Sequence, residues 1–374
     1  MTITIVLQSP FLDRIPSLKT LVVYLSKQGH NIKVISSVSP IFPVSDLSMC
    51  HNVKQILVKQ REQKFELPTK IKLLLRVLLD LLFNRSDIYM GGDDGGCYLL
   101  DIFHRIFGTR YVNFLLEYPD IDDPNQLKRI EEADVLITHD HWHSDFLKQH
   151  CNLDGKKILY LPNASYTDEF RGISDYLSKH LGIGRDKVIL LHSGGLDIMF
   201  MCKELAESAK GWSKGKVLVF HTSHKVEKDP YYISMAQAIE GQDNVLFSMK
   251  PVSNDELDEL VASATIGVAL YSIEELGYRA EYMGVAAGKI GNYLKCGIPV
   301  IVNRLPSLSY IEDFKCGILV DNIDDIDSAC DKIMANYEVY RDGAYRCYKD
   351  IWHPKEYLED IDEQLSSSIK IKYK

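Results

Sequence analysis

The stretch Ala286-Ala-Gly-Lys-Ile-Gly-Asn-Tyr-Leu-Lys-Cys-Gly-Ile-Pro-Val-Ile-Val302 spells one complete helix-to-strand unit. Gly288 permits a tight turn into a helix over 290–295. Gly297 fits the left-handed position that closes a helix, and 299–302 is an apolar run of the kind a strand buried on both faces requires. Lys289 falls in the first helical turn. The helix dipole opposes a cation there, so a phosphate ligand explains this lysine better than a solvated surface charge does.

The same alternation of β-branched runs and helical periods extends in both directions. Upstream, it predicts strands over 188–192, 216–221, 244–247 and 266–270, and helices over 199–210, 232–239 and 254–262. Ser253 and Glu256 fit a capping box at the start of the last helix. A short strand at 317–320 and a helix over 326–337 follow. A first series precedes these, with strands over 3–7, 32–36, 88–90, 111–115, 135–138 and 158–161 and a helix over 18–28. Patterning lapses over 163–187. The fold class is therefore α/β, with two Rossmann-like, doubly wound domains expected to face each other across a cleft. The expected bounds are 1–165 and 166–350, with 351–374 a helical segment packing back towards the first domain.

Composition excludes several classes. The 374 residues are 46% hydrophobic and 25% charged, as in an ordinary globular protein, so a disordered scaffold is ruled out. A net charge of −9 argues against a nucleic-acid partner. The eight cysteines include no Cys-x-x-Cys pair, which fits reduced core residues and a cytoplasmic location. No run is long enough to span a bilayer. No Gly-x-x-x-x-Gly-Lys-Ser/Thr and no Gly-x-Gly-x-x-Gly after the first strand is present, so a P-loop nucleotidase and a simple NAD dehydrogenase lose support.

In the first half, the helix over 70–83 is nearly all apolar, broken by Lys72, Arg76 and Asp80 at intervals of four. It reads as a buried helix with one wet stripe, or as a patch for peripheral contact with the inner face of a membrane or for a lipid-linked acceptor. Met90-Gly-Gly-Asp-Asp-Gly-Gly96 reads as a flexible loop carrying two carboxylates. Asp93 or Asp94 is a candidate to bind acceptor hydroxyls or act as a base, or the loop is a turn without function. His139-Asp-His-Trp-His143 offers a metal site, a cleft role for His139 or Asp140, or a plain helix start.

The segment from Lys289 to Ile301 resembles the donor-binding motif of GT-B glycosyltransferases, especially the retaining family 4. There a Lys-hydrophobic-x-Glu-Tyr-Leu-x-x-Gly-x-Pro-Val-Ile run contacts a nucleotide sugar. Lys289, Tyr293, Leu294, Gly297, Pro299, Val300 and Ile301 match. Asn292 stands where the family has a ribose-binding Glu, and Gly284 where many members carry a second Glu. Asn can still donate to and accept from a ribose. Ser193-Gly194-Gly195 resembles the family's loop whose amides approach the donor phosphates, and Lys250-Pro251-Val252-Ser253 the loop whose backbone reads the base. Gly288, Lys289, Ile290 and Asn292 complete the implied donor set, with Lys225 or Arg279 adding charge. Glu117 falls where members place cleft residues.

The resemblance implies a glycosyltransferase that moves a sugar from a nucleotide diphosphate, UDP in preference to GDP, to a hydroxyl of a glycan or lipid-linked glycan, with retention. It implies no metal and no cofactor beyond the nucleotide-sugar co-substrate. Lys289 and Glu117, with His139 and Asp93 from their positions after strands, make up the candidate catalytic set. Two rivals are a non-hydrolysing sugar-nucleotide epimerase of the same fold and a partner subunit that has lost catalysis, which Asn292 and Gly284 would favour.

Overall fold

The computed structural model describes all residues except 11, 40–43, 61–66, 166, 224–225 and 371–374. Lys225 therefore lies outside the described residues. The chain divides into two compact units, one of residues 1–166 and 354–374, the other Thr167–His353.

The first unit is built on a seven-stranded, wholly parallel sheet. Its strands are β1 (Thr2–Leu7), β2 (Asn31–Val38), β3 (Val53–Lys59), β4 (Ile88–Gly91), β5 (Tyr111–Phe114), β6 (Val135–Thr138) and β7 (Lys157–Tyr160). Their order is β3-β2-β1-β4-β5-β6-β7. β1 is almost wholly buried and pairs with β2 on one side (Ile5 with Val34) and β4 on the other (Ile5 with Met90). The helix Pro16–Lys27 starts on a proline and buries Leu18, Leu21, Val22 and Leu25, the i, i+3, i+4, i+7 stripe that docks a helix on a sheet. The final helix, Lys355–Lys370, belongs to this unit. It adds Leu358, Ile361 and Leu365 to the core, and His30 Nε2 lies 2.7 Å from its Asp362.

The second unit has a six-stranded parallel sheet: β8 (Val188–Ser193), β9 (Lys216–His221), β10 (Val245–Ser248), β11 (Ile266–Ala269), β12 (Val300–Asn303) and β13 (Gly317–Val320). The order β10-β9-β8-β11-β12-β13 reverses direction beside β8, the switch point at which ligands bind in sheets of this type. The capping box of Ser253 and Glu256 is formed. All eight cysteines are buried and free.

Several sequence-based expectations change. β3 is an additional strand: it lies at the sheet edge, half-exposed, and its Lys54, Gln55 and Lys59 dilute the apolar signal. The helix expected over 199–210 is interrupted at Met201, whose φ of 51° ends one turn and starts the helix Cys202–Ser208. Lys72, Arg76 and Asp80 do not share a wet stripe. Asp80 is buried, pairs with Lys33 at 2.9 Å and accepts from the Thr4 hydroxyl.

The stretch over 90–96 is not a flexible loop but the end of β4 and the start of the helix Asp94–Phe107. Its glycines serve close packing. A Cβ at Gly96 would lie 2.0 Å from the Val6 carbonyl oxygen, and one at Gly91 would meet Cys97. Gly96→Ala should therefore push the helix off β1 and destabilise the protein by roughly 1–3 kcal/mol, read as a lower urea midpoint. An unchanged midpoint would show that the packing is looser than described.

Candidate functional site

The site in the second unit forms at the carboxyl ends of β8 and β11. The helix Gly288–Lys295 brings Lys289 there, and several contacts fix this helix. A Cβ at Gly291 would come within 2.5 Å of the Trp352 ring, so the glycine lets the buried indole lie against the helix. Lys295 forms a buried ion pair with Asp258. Gly297 has a φ of 67°, and the Tyr345 hydroxyl donates to the Cys296 carbonyl just before it. Among the described residues no side chain caps the amino end of the helix.

Tyr293 ties the helix to the loop after β8. A Cβ at Gly267 of β11 would sit 2.4 Å from its ring, so only glycine lets the fully buried ring lie on the strand. The Tyr293 hydroxyl donates to the Leu191 carbonyl at 2.9 Å and accepts from the Ser193 amide at 2.7 Å. The Gly194 amide donates to the His221 carbonyl, and Gly194 has a φ of 148°. Two of the amides expected to face a phosphate are thus already used. Those of Gly195 and Leu196 donate no hydrogen bond among the described residues, whereas that of Asp197 donates to the Cys202 thiol, so the stretch with open amides lies one step further along the chain. His192 supports it from below: its Nε2 lies 3.2 Å from the Gly195 carbonyl, and burial, with help from Lys289, holds its pKa well below the ordinary value.

The Lys289 ammonium is the unusual group. Its Nζ is shielded from solvent and has no hydrogen-bond partner among the described residues. It lies 3.5 Å from the centroid of the Phe200 ring and 5.5 Å from that of Tyr271, against Gly194. A desolvated cation–π contact returns about 2 kcal/mol, whereas burying an ammonium costs several. The charge is therefore under-compensated, and burial brings its pKa down to about 8. Phe200 and Tyr271 escaped the sequence reading because nothing in their spacing pairs them with a lysine some 90 and 18 positions away; the one signal was Lys289 itself.

Other donor residues fall out differently. Ile290 is wholly buried, and its amide donates to Ala287, so it is a core residue and not a ligand contact. Asn292 is half-buried on the same helix, and Gly288 begins it. Pro251 and Val252 lie in an open stretch before the helix Asn254–Ala262, with the Val252 amide making no hydrogen bond among the described residues. Arg279 is exposed. Gly284 adopts a φ of 45° and its amide donates to Ser307, which explains a glycine where a Glu was looked for. A cavity of about 540 Å³ exists at the amino ends of β8 to β10, but ligands of parallel sheets bind at the opposite, carboxyl ends.

In the first unit, Asp93, Glu117 and His139 each follow a strand, but only Glu117 keeps its functional group open. Asp93 caps the helix Asp94–Phe107 and accepts from the amides of Gly96, Gln8 and Ser9, which ties the loop after β1 to the end of β4. Burial raises its pKa against the pull of those amides. Asp94 is exposed and accepts from Gln126. His139 is buried, with Nδ1 3.1 Å from the Leu161 carbonyl and Nε2 3.2 Å from that of Leu116, and burial lowers its pKa. Neither Asp93 nor His139 is placed as a base. Asp140 caps the helix His141–His150 and His143 packs on Tyr118, so this stretch is a helix start. Among the described residues no group of three or more His, Cys, Asp or Glu is placed to hold a metal. Glu117 is exposed on the loop after β5 and makes no hydrogen bond among the described residues.

Comparison with known proteins bears on this arrangement. Residues 222–350 match the glucosyltransferase 3-like, C-terminal domain family. Comparison with curated proteins gives no match. Among solved structures, the chain is similar to Anabaena Alr3699/HepE in complex with UDP-glucose, at 14% identity and a TM-score of 0.75 over 98% of this chain and 100% of that one. It is also similar to sucrose-phosphate synthase from Thermosynechococcus elongatus (12%, TM-score 0.75, 99% of each chain) and to a glycosyltransferase from Rickettsia africae (10%, TM-score 0.71, 98% of each chain). At such identities the likeness is one of fold: two Rossmann-like units with the GT-B architecture.

Tyr293→Phe tests how the loop is held. The change leaves the part-buried Ser193 amide without its acceptor, which costs about 1 kcal/mol of stability. The protein should stay folded, with a lower melting temperature and faster hydrogen exchange of the Ser193 and Gly194 amides. Unchanged exchange there would show that the hydroxyl does not position the loop.

Proposed function

We propose that this chain is a glycosyltransferase that takes its sugar from a nucleotide diphosphate, with UDP as the preferred carrier. The observation that carries the reading is the buried Lys289 ammonium, without a hydrogen-bond partner among the described residues, beside the unbonded amides of Gly195 and Leu196. An anion with several oxygens completes both at once, and a diphosphate has the required charge. Residues 222–350, which carry Lys289, match a glucosyltransferase-like family, and HepE, of like fold, has been solved with UDP and with UDP-glucose.

In this reading Lys289, the uncapped helix start and the loop amides bind the diphosphate. Asn292 faces the ribose, and the open backbone at Pro251 and Val252 reads the base. The acceptor is a hydroxyl of a glycan or a lipid-linked glycan, with Glu117 the carboxylate on the acceptor side. The acceptor oxygen bonds to the anomeric carbon as the sugar–phosphate bond breaks. With retention, the departing diphosphate takes the acceptor proton. Negative charge grows on the phosphate oxygen as it leaves, so the Lys289 contact is stronger in the transition state than in the ground state.

Lys289→Met tests the reading in two directions. It keeps the apolar stem and removes an uncompensated buried charge, so the unliganded variant should melt no lower than the parent. It should also lose a charge-assisted contact of roughly 1.5–3 kcal/mol, or about 10- to 150-fold in UDP affinity, with a larger loss in turnover. In the parent, UDP should raise the melting temperature more than GDP does. In the transfer assay, Glu117→Ala should lower the rate and leave UDP affinity unchanged. Equal stabilisation of parent and Lys289→Met by UDP would overturn the site, and stabilisation by GDP alone would overturn the choice of base.

A further inference from the structure

The helix Leu67–Phe83 turns an apolar face outward. Its inner face buries Thr69, Leu73, Val77, Asp80 and Leu81 against the sheet. Leu67, Ile71, Leu75, Leu79, Leu82 and Phe83 remain exposed, from 46% for Leu79 to 74% for Phe83. Burial should remove such residues from solvent, and a run at this spacing occupies one continuous helical face. Lys72 and Arg76 are also exposed and lie one turn apart along its border. The only acid in the helix, Asp80, is turned inward onto Lys33.

The apolar surface extends past the helix end. The Arg85 guanidinium donates to the Phe107 carbonyl at 3.4 Å, which brings the end of this helix to the end of the helix Asp94–Phe107. There Ile106 and Phe107 are exposed as well. The patch thus combines apolar side chains with the cations Lys72, Arg76 and Arg85 on a chain whose overall charge is −9.

We propose that this face docks the protein on an anionic lipid surface, with the helix lying in the plane of the interface. Charge complementarity selects the occupant. Cations beside an apolar stripe match acidic headgroups above acyl chains. A second copy of the chain would bring Lys72 and Arg76 to the seam with no carboxylate from either helix to meet them. No described helix is long and apolar enough to cross a membrane, so contact is from one side. The inference does not depend on the proposed reaction, because a chain without transferase activity would dock equally well.

The test is co-sedimentation of the full chain with vesicles of phosphatidylglycerol mixed with phosphatidylcholine, and with vesicles of phosphatidylcholine alone. Partitioning should favour the anionic vesicles and fall with added salt. Each basic residue near such a surface is worth roughly a factor of five, so Lys72→Glu with Arg76→Glu should weaken binding by at least about 25-fold. Leu75→Glu with Leu79→Glu should abolish it while the melting temperature holds, because these side chains are outside the core. The proposal is overturned if the chain sediments with neither vesicle or if neither pair of substitutions matters. It is also overturned if the free chain forms a concentration-dependent dimer that Leu75→Glu dissolves, which would assign the face to a second copy.

Discussion

The second unit is organised around one ammonium group that has no counter-ion among the described residues. Folding has carried the Lys289 Nζ out of water and onto the faces of Phe200 and Tyr271, and the attraction of those rings does not repay its lost hydration. The surrounding structure holds it there. Gly291 admits Trp352 against the helix, Lys295 pins the helix to Asp258, and Gly267 admits Tyr293, whose hydroxyl fixes the strand end facing the lysine. Met201, with its left-handed backbone beside Phe200, is a further local cost borne at the same place. Under the proposed function, these costs together prepare the site for an anion.

The fold was largely legible because parallel strands are buried on both faces and read as continuous apolar runs. Those over 135–138, 216–221 and 317–320 coincide with β6, β9 and β13. The edge strand β3 was not, since half of it faces water and carries lysines. The unusual setting of Lys289 could be read from a local rule, a cation set against a helix dipole. The partners of Asp93, His139 and Ser193 could not. Their hydrogen bonds join segments far apart in sequence, as when the Ser193 amide meets Tyr293 a hundred positions later. A carboxylate after a strand looks the same in sequence whether it serves a substrate or, like Asp93, three backbone amides.

The two proposals rest on departures from one partition rule, in opposite senses. In the second unit a charge is buried without a partner; in the first, six apolar side chains of one helix stay in water. Asp80 links the second departure to the sequence. Its interval of four from Arg76 suggested a shared polar face, but four residues advance a helix by 40°, enough to carry Asp80 over the boundary into the core, where Lys33 meets it.

The most direct test of the central claim is the proton balance of UDP binding, measured by titration calorimetry at about pH 9 in buffers of different ionisation enthalpy. With a pKa of about 8, Lys289 is mostly neutral at that pH in the free protein, and a bound diphosphate would restore its charge. The account predicts uptake of close to one proton per UDP bound, with affinity weakening up to about tenfold per pH unit above 8. Binding without proton uptake, at an affinity independent of pH from 7 to 9.5, would contradict it.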